Sequence, residues 1–113
     1  MPTKNRTAYN RQWRLDNPDK HKASSARARK VQYLKNYTVL ESIKTETPCS
    51  DCGVNYPHYV MEFDHRPGET KLASVATLCT SRTKMLAEIS KCDIVCANCH
   101  ATRTYARRMV EAD

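Results

Sequence analysis

The sequence predicts a small α+β domain stapled by a metal ion and preceded by basic helices, and three observations carry that expectation. Four cysteines fall into two Cys-x2-Cys pairs, Cys49-Ser50-Asp51-Cys52 and Cys96-Ala97-Asn98-Cys99, which together can close a four-sulfur shell around one Zn²⁺. Tyr59-Val60-Met61-Glu62-Phe63-Asp64-His65 is rich in aromatic and β-branched groups and reads as a strand, and Asp93-Ile94-Val95 reads as a second, short one entering the second pair. The segments on either side have the composition and apolar spacing of helices.

A chain of 113 residues is one domain, or a small domain with an appendage. Its hydrophobic fraction is 40% and its mean hydropathy −0.73, so the core is modest and an added constraint is expected. Structural zinc supplies one, returning on the order of 10 kcal/mol of folding free energy. Six cysteines could instead form disulfides in a secreted chain. The start, Met1-Pro2-Thr3-Lys4-Asn5-Arg6, leads into polar sequence without the apolar run of a signal peptide. A cytoplasmic, reducing location is therefore expected, where paired cysteines read as metal ligands rather than as disulfides or simple buried thiols. No stretch is apolar enough to suggest a membrane span.

Charge is unevenly distributed. The net charge is +7, yet residues 1–45 hold eleven Lys/Arg against three acids, whereas the remainder holds eight basic and nine acidic side chains. Residues 1–45 are thus expected to form a basic helical leader whose natural partner is a polyanion, and 46–113 the body.

Within the leader, residues 4–16 predict a short helix that stops at Asn17-Pro18. Asn17 suits an N-cap and Pro18 a first helical position, so a second helix is expected from there to about Lys44, before the Thr45-Glu46-Thr47-Pro48 breaker. Val31, Leu34, Tyr37, Leu40 and Ile43 recur about once per turn and suggest a docking face, while Arg27, Arg29 and Lys30 face solvent or a phosphate backbone. In the body, alternation puts Met61, Phe63 and His65 on one face of the first strand and Val60, Glu62 and Asp64 on the other, with Arg66-Pro67-Gly68 ending it. A helical turn is expected around Ala73 to Leu78. Ser81 suits the cap of a helix over Thr83 to Ser90, and a final helix is expected from Asn98 to about Val110.

The strand ending in Phe63-Asp64-His65 and the run Ile94-Val95-Cys96-Ala97-Asn98-Cys99-His100 resemble the HNH nuclease family with its ββα-metal fold, in particular small phage-type members with a zinc-binding knuckle pair. The resemblance covers residues 49 to about 108, and residues 1–45 resemble, more weakly, the basic leaders attached to such domains. It implies a catalytic set of Asp64, His65 and His100. Asp64 and His100 would bind a catalytic divalent cation, Mg²⁺ or Mn²⁺, and His65 would act as general base toward water attacking a phosphodiester. Cys49, Cys52, Cys96 and Cys99 would hold the structural Zn²⁺.

Two positions depart from the family pattern. The central Asn that braces the loop between the strands is replaced by the Lys91-Cys92-Asp93 stretch, in which Asp93 is expected to hydrogen-bond the backbone instead. Thr104 stands where some relatives carry a third metal-binding His. Arg103, Arg107 and Arg108 are candidates to clamp phosphates beside the cut, the alternative being that they complement the helix dipole. Cys79 and Cys92 are expected to be buried thiols, with Cys92 close enough in sequence to Cys96 to compete for zinc; His21 and His58 are expected at the surface.

The resulting expectation is a divalent-metal-dependent endonuclease acting on DNA, with the host cytoplasm as its location if phage-encoded. The alternatives are a non-catalytic zinc-containing DNA-binding module and a zinc-stabilised protein-interaction domain.

Overall fold

Asn17-Pro18 punctuates the amino-terminal helices as the sequence suggests, although by a different route. The computed structural model describes residues 6–112, so the expected helix start at residue 4 lies outside the described residues. Helix α1 runs Arg6–Asp16 and α2 Pro18–Glu46. The Asn17 carbonyl accepts from His21 N–H at 2.9 Å, as an N-cap carbonyl does, but the Asn17 side chain donates back to the Trp13 carbonyl at 3.0 Å and so closes α1 rather than capping α2.

The chain divides into two compact units at Val31/Gln32, inside α2, whereas the charge balance changes at residue 45. In the first unit Tyr9 and Leu15 are exposed, and Trp13 meets His21 edge-on with ring centroids 6.4 Å apart. Among the described residues no helix is long and apolar enough to cross a membrane.

The second unit contains the remaining elements: β1 (Met61–His65), α3 (Arg82–Ile89), β2 (Cys92–Cys96) and α4 (Ala97–Ala112). The class is mixed, helices with one small sheet of two antiparallel strands. Met61 pairs with Cys96 and His65 with Cys92, so each strand's chemistry-bearing end is held by the other. The strand is shorter than expected because Pro57 starts a 3-10 turn over His58–Val60, its carbonyl accepting from Val60 N–H. After β1, Pro67 and Gly68 form a reversal in which Glu69 N–H reaches the Arg66 carbonyl and Gly68 adopts φ +89°, a conformation that favours glycine. A 3-10 stretch, Val75–Thr80, lies slightly beyond the helical turn expected at 73–78. Ser81 does cap α3, its hydroxyl accepting from Lys84 N–H.

Two apolar clusters pack around the strands. One contains Leu40, Val75, Cys79, Met85 and Cys92; the other Cys49, Met61, Ile94, Val95 and Cys96, and Phe63 packs against both. The docking face of α2 differs from the expected one. Val31 and Leu34 remain 51% and 53% exposed, and the inward positions are Tyr33, Asn36, Leu40 and Ile43. A strict three-residue repeat falls about 60° behind the helix at every step, so Val31 and Ile43 cannot share a face, whereas steps of three, four and three can. At the centre of that stripe Asn36 is fully buried. Its amide donates to the Cys79 carbonyl at 2.6 Å, and its oxygen accepts from Arg82 Nε at 2.9 Å and Gln32 Nε2 at 3.0 Å, which offsets its desolvation.

Candidate functional site

The two cysteine pairs converge. The Sγ atoms of Cys49, Cys52, Cys96 and Cys99 all lie within 4.8 Å of one another. Zn–S bonds of about 2.3 Å in a tetrahedron put sulfurs about 3.8 Å apart, so small adjustments close the shell. The donor set itself is the strongest test of fit: four thiols, two of them nearly fully buried, where the loop of the first pair meets the end of β2 and the first turn of α4. Backbone N–H groups point at two of the sulfurs, Cys96 N–H donating to Cys49 Sγ at 3.3 Å and Cys99 N–H to Cys96 Sγ at 3.4 Å. Gly53, at φ +73°, turns the first pair, its N–H reaching the Cys49 carbonyl. Ser50 then ties that turn to β2 through its N–H and hydroxyl, both on the Ile94 carbonyl.

The thiols influence one another strongly. Burial opposes ionisation of Cys49, but backbone N–H groups of Cys52, Cys96 and Asp51 outweigh it and pull its pKa to about 6. Hydrogen bonding to Cys96, followed by burial, pushes Cys99 up to about 12. Packed sulfurs divide their protons in this way, and a dication would ionise all four. Four protein ligands leave no open position, so a zinc held here would be structural. Cys79 and Cys92 lie outside the cluster as buried thiols, Cys92 donating to the Glu88 carbonyl, with its pKa raised to about 11 chiefly by burial.

Asp64, on β1, meets α4. His100 Nε2 lies 3.5 Å from Asp64 Oδ1, and His100 Nδ1 is 2.5 Å from Glu62 Oε2, so Glu62, Asp64 and His100 form one group. The structure also brings two arginines to the same carboxylate. Arg103 Nη1 donates to Asp64 Oδ2 at 2.9 Å, and Arg107 donates to Oδ1 and Oδ2, both at 2.9 Å. These contacts, Arg107 foremost, hold the Asp64 pKa at about 2 despite its burial. Arg103 is shared further, making two bonds of 2.6 Å to Asp51 and one of 2.8 Å to Asp93, which raises its own pKa.

A carboxylate oxygen and an imidazole nitrogen 3.5 Å apart are suitable donor types for a divalent cation. In this arrangement, however, both Asp64 oxygens already accept guanidinium N–H groups, so the site as it stands does not offer Asp64 to a cation. Arg103 and Arg107 are turned to Asp64 rather than outward, while Arg108 is exposed. Asp93 does not brace the backbone as expected from its position; its carboxylate accepts from Arg103. The bracing comes from Arg66, which donates to the Cys92 and Ser90 carbonyls.

His65 is directed elsewhere. Its Nε2 lies 2.7 Å from Glu88 Oε2, and Glu88 is only 1% exposed. That carboxylate also accepts from Lys91 Nζ at 3.0 Å and from Leu72 N–H at 3.1 Å. Lys91 is the largest influence holding the Glu88 pKa at about 2. His65 lines a pocket of about 210 Å³ together with Lys44, Glu62, Phe63, Lys71 and Ser74. Lys44 Nζ sits 5.1 Å from the Phe63 ring centroid, and burial lowers its pKa.

Arg27, Arg29 and Lys30 are exposed on α2 in the first unit. Glu88 and Asn36 were absent from the sequence expectations. Glu88 had a signal: a carboxylate three residues after Met85 and one before Ile89 interrupts an apolar stripe. Asp51 had none, since its role depends on an arginine 52 residues away. Compared with protein-family models, curated proteins and solved structures, the chain matches none of them.

Proposed function

We propose that the chain is a divalent-metal-dependent endonuclease that hydrolyses DNA phosphodiester bonds, built around an HNH-type ββα core with a structural zinc. The observation that carries this reading is that Glu62 links the two groups: it contacts His100, which lies 3.5 Å from Asp64, and it lines with His65 the pocket that has Lys44 and Lys71 in its wall. In the reaction, water loses a proton to His65 as its oxygen attacks phosphorus, the bond from phosphorus to the 3′ oxygen breaks, and that oxygen takes a proton from solvent, leaving 5′-phosphate and 3′-hydroxyl ends. Lys44 and Lys71 provide positive charge beside the pocket for the phosphate. A cation at Asp64 and His100 would stabilise charge on the phosphate and leaving oxygen, and its entry requires Arg103 and Arg107 to release the carboxylate. The exposed Arg27, Arg29 and Lys30 fit phosphate-backbone contacts that bind without specifying sequence.

A specific observation favours a second reading, a non-catalytic zinc-containing DNA-binding module. Asp64 is neutralised by two guanidinium groups, an arrangement that also suits a purely structural ion-pair network. Incubating the zinc-loaded protein with supercoiled plasmid, with Mg²⁺, with Mn²⁺ and with neither, beside His65→Ala, separates the two. Cation-dependent nicking or linearisation that His65→Ala loses supports the nuclease, and binding without cleavage in every condition supports the module.

A further inference from the structure

We infer that Glu88 is the positioning residue of His65: its carboxylate fixes the neutral imidazole as the Nε2–H tautomer and leaves Nδ1 as the nitrogen that accepts a proton. The catalytic half of this assignment rests on the nuclease reading; the pairing itself does not.

The geometry is specific. Glu88 Oε2 receives His65 Nε2 at 2.7 Å and Leu72 N–H at 3.1 Å, while Oε1 receives Lys91 Nζ at 3.0 Å. An ionised carboxylate is acceptor-only, so the ring nitrogen facing it carries the hydrogen. Glu88 remains ionised throughout the neutral range, held there first by Lys91. In the neutral imidazole the other ring nitrogen, Nδ1, is then the one without a hydrogen, on a side chain that borders the pocket.

Burying this carboxylate is costly, and an apolar residue would fill the α3 stripe beside Met85 without desolvating a charge. Three donors from three different segments offset that cost, and each immobilises the acceptor. Lys91 adds a bond to the Thr70 carbonyl at 2.8 Å, so the segment after β1 is fastened to the same point. The His65 backbone is fixed independently by its pairing with Cys92. Strand pairing and Glu88 together hold the imidazole from both ends, which is how an oriented base differs from a surface histidine.

The test uses the full zinc-loaded chain. Long-range ¹H–¹⁵N correlation spectra of the histidine side chains, with His65→Ala to identify the signal, should give the Nε2–H tautomer for His65 in the wild type. Glu88→Gln, checked for unchanged zinc content and fold, should yield a tautomer mixture and lower kcat by about 10- to 10²-fold with KM nearly unchanged, less than the 10²–10⁴ cost of losing a base outright. A wild-type His65 protonated at Nδ1, or a Glu88→Gln variant with unchanged tautomer and kcat, overturns the assignment. Should Glu88→Gln fail to fold, the wild-type spectrum still decides the pairing. Plasmid left intact by the wild type overturns the nuclease reading and the catalytic half with it, whereas a wrong tautomer in an active enzyme overturns Glu88 alone.

Discussion

Arg103 makes two 2.6 Å hydrogen bonds to Asp51, a residue inside the first cysteine pair, while the same guanidinium reaches Asp64 at 2.9 Å. One side chain of α4 therefore joins the four-sulfur cluster to the carboxylate of β1, and a third acid, Asp93, closes on it at 2.8 Å. Arg103 is the cation that all three carboxylates share, while Arg107 also holds Asp64 and Arg66 lies 3.6 Å from Asp93. Arg103→Gln should lower stability by about 1 to 3 kcal/mol, the usual range for losing hydrogen bonds to charged groups. It should also tighten Mn²⁺ binding, because Asp51, Asp64 and Asp93 lose their shared counter-charge. Denaturant unfolding and calorimetric titration of zinc-loaded protein measure the two effects. Weaker or unchanged Mn²⁺ binding would contradict the view that Arg103 competes with a cation for Asp64.

One zinc ion per chain should copurify with the protein, and Cys49→Ser or Cys96→Ser should lose it together with the fold. Both residues are almost fully buried, and both sulfurs accept a backbone N–H, Cys49 from Cys96 of the other pair and Cys96 from Cys99 of its own. A chain this small has little core to compensate for the lost metal. Elemental analysis of protein prepared without added metal or chelator tests this, and a folded chain containing no zinc would refute it.

Local signals made the elements legible, and long-range pairings were hidden. Ser81 before an apolar-spaced segment, Pro-Gly after β1 and the cysteine spacing each specify a nearby conformation, and α3, the reversal and the sulfur cluster follow from them. The buried face of α2 is not legible from apolar spacing because Asn36, a polar residue, sits at its centre while Val31 and Leu34 stay exposed. Hydrophobicity alone cannot identify a buried amide whose partners, Cys79 and Arg82, lie 43 and 46 residues away. The arginines of α4 were similarly ambiguous: their charge suggested a phosphate, and only the approach of β1 supplies Asp64 as a nearer anion.

Removing residues 1–30 should weaken DNA binding and flatten its salt dependence, with each lost phosphate contact reducing the logarithmic slope by about 0.9 on duplex DNA. The cut falls one residue short of the boundary at Val31/Gln32, so the second unit keeps both of its apolar clusters. Equal affinity and equal slope for the truncated protein, measured over a range of salt concentrations, would show that the basic segment is not the DNA-binding surface.

Asp64 and His65 should fail in different ways because their side chains enter different networks, Asp64 that of His100, Arg103 and Arg107, and His65 that of Glu88. His65→Ala should retain Mn²⁺ and DNA binding yet cleave about 10² to 10⁴ times more slowly, the contribution of a positioned base. Asp64→Ala should weaken the cation site, so that raising Mg²⁺ recovers part of its activity. It should also destabilise the fold, since two guanidinium groups lose their common acceptor. Calorimetric titration of both variants with Mn²⁺, together with single-turnover cleavage, distinguishes these outcomes. Cleavage by His65→Ala at the wild-type rate, or wild-type cleavage that persists when a chelator removes Mg²⁺ but leaves zinc in place, would eliminate this mechanism. The non-catalytic DNA-binding module would then account for the basic segment, the four cysteines and the arginine-held Asp64 together.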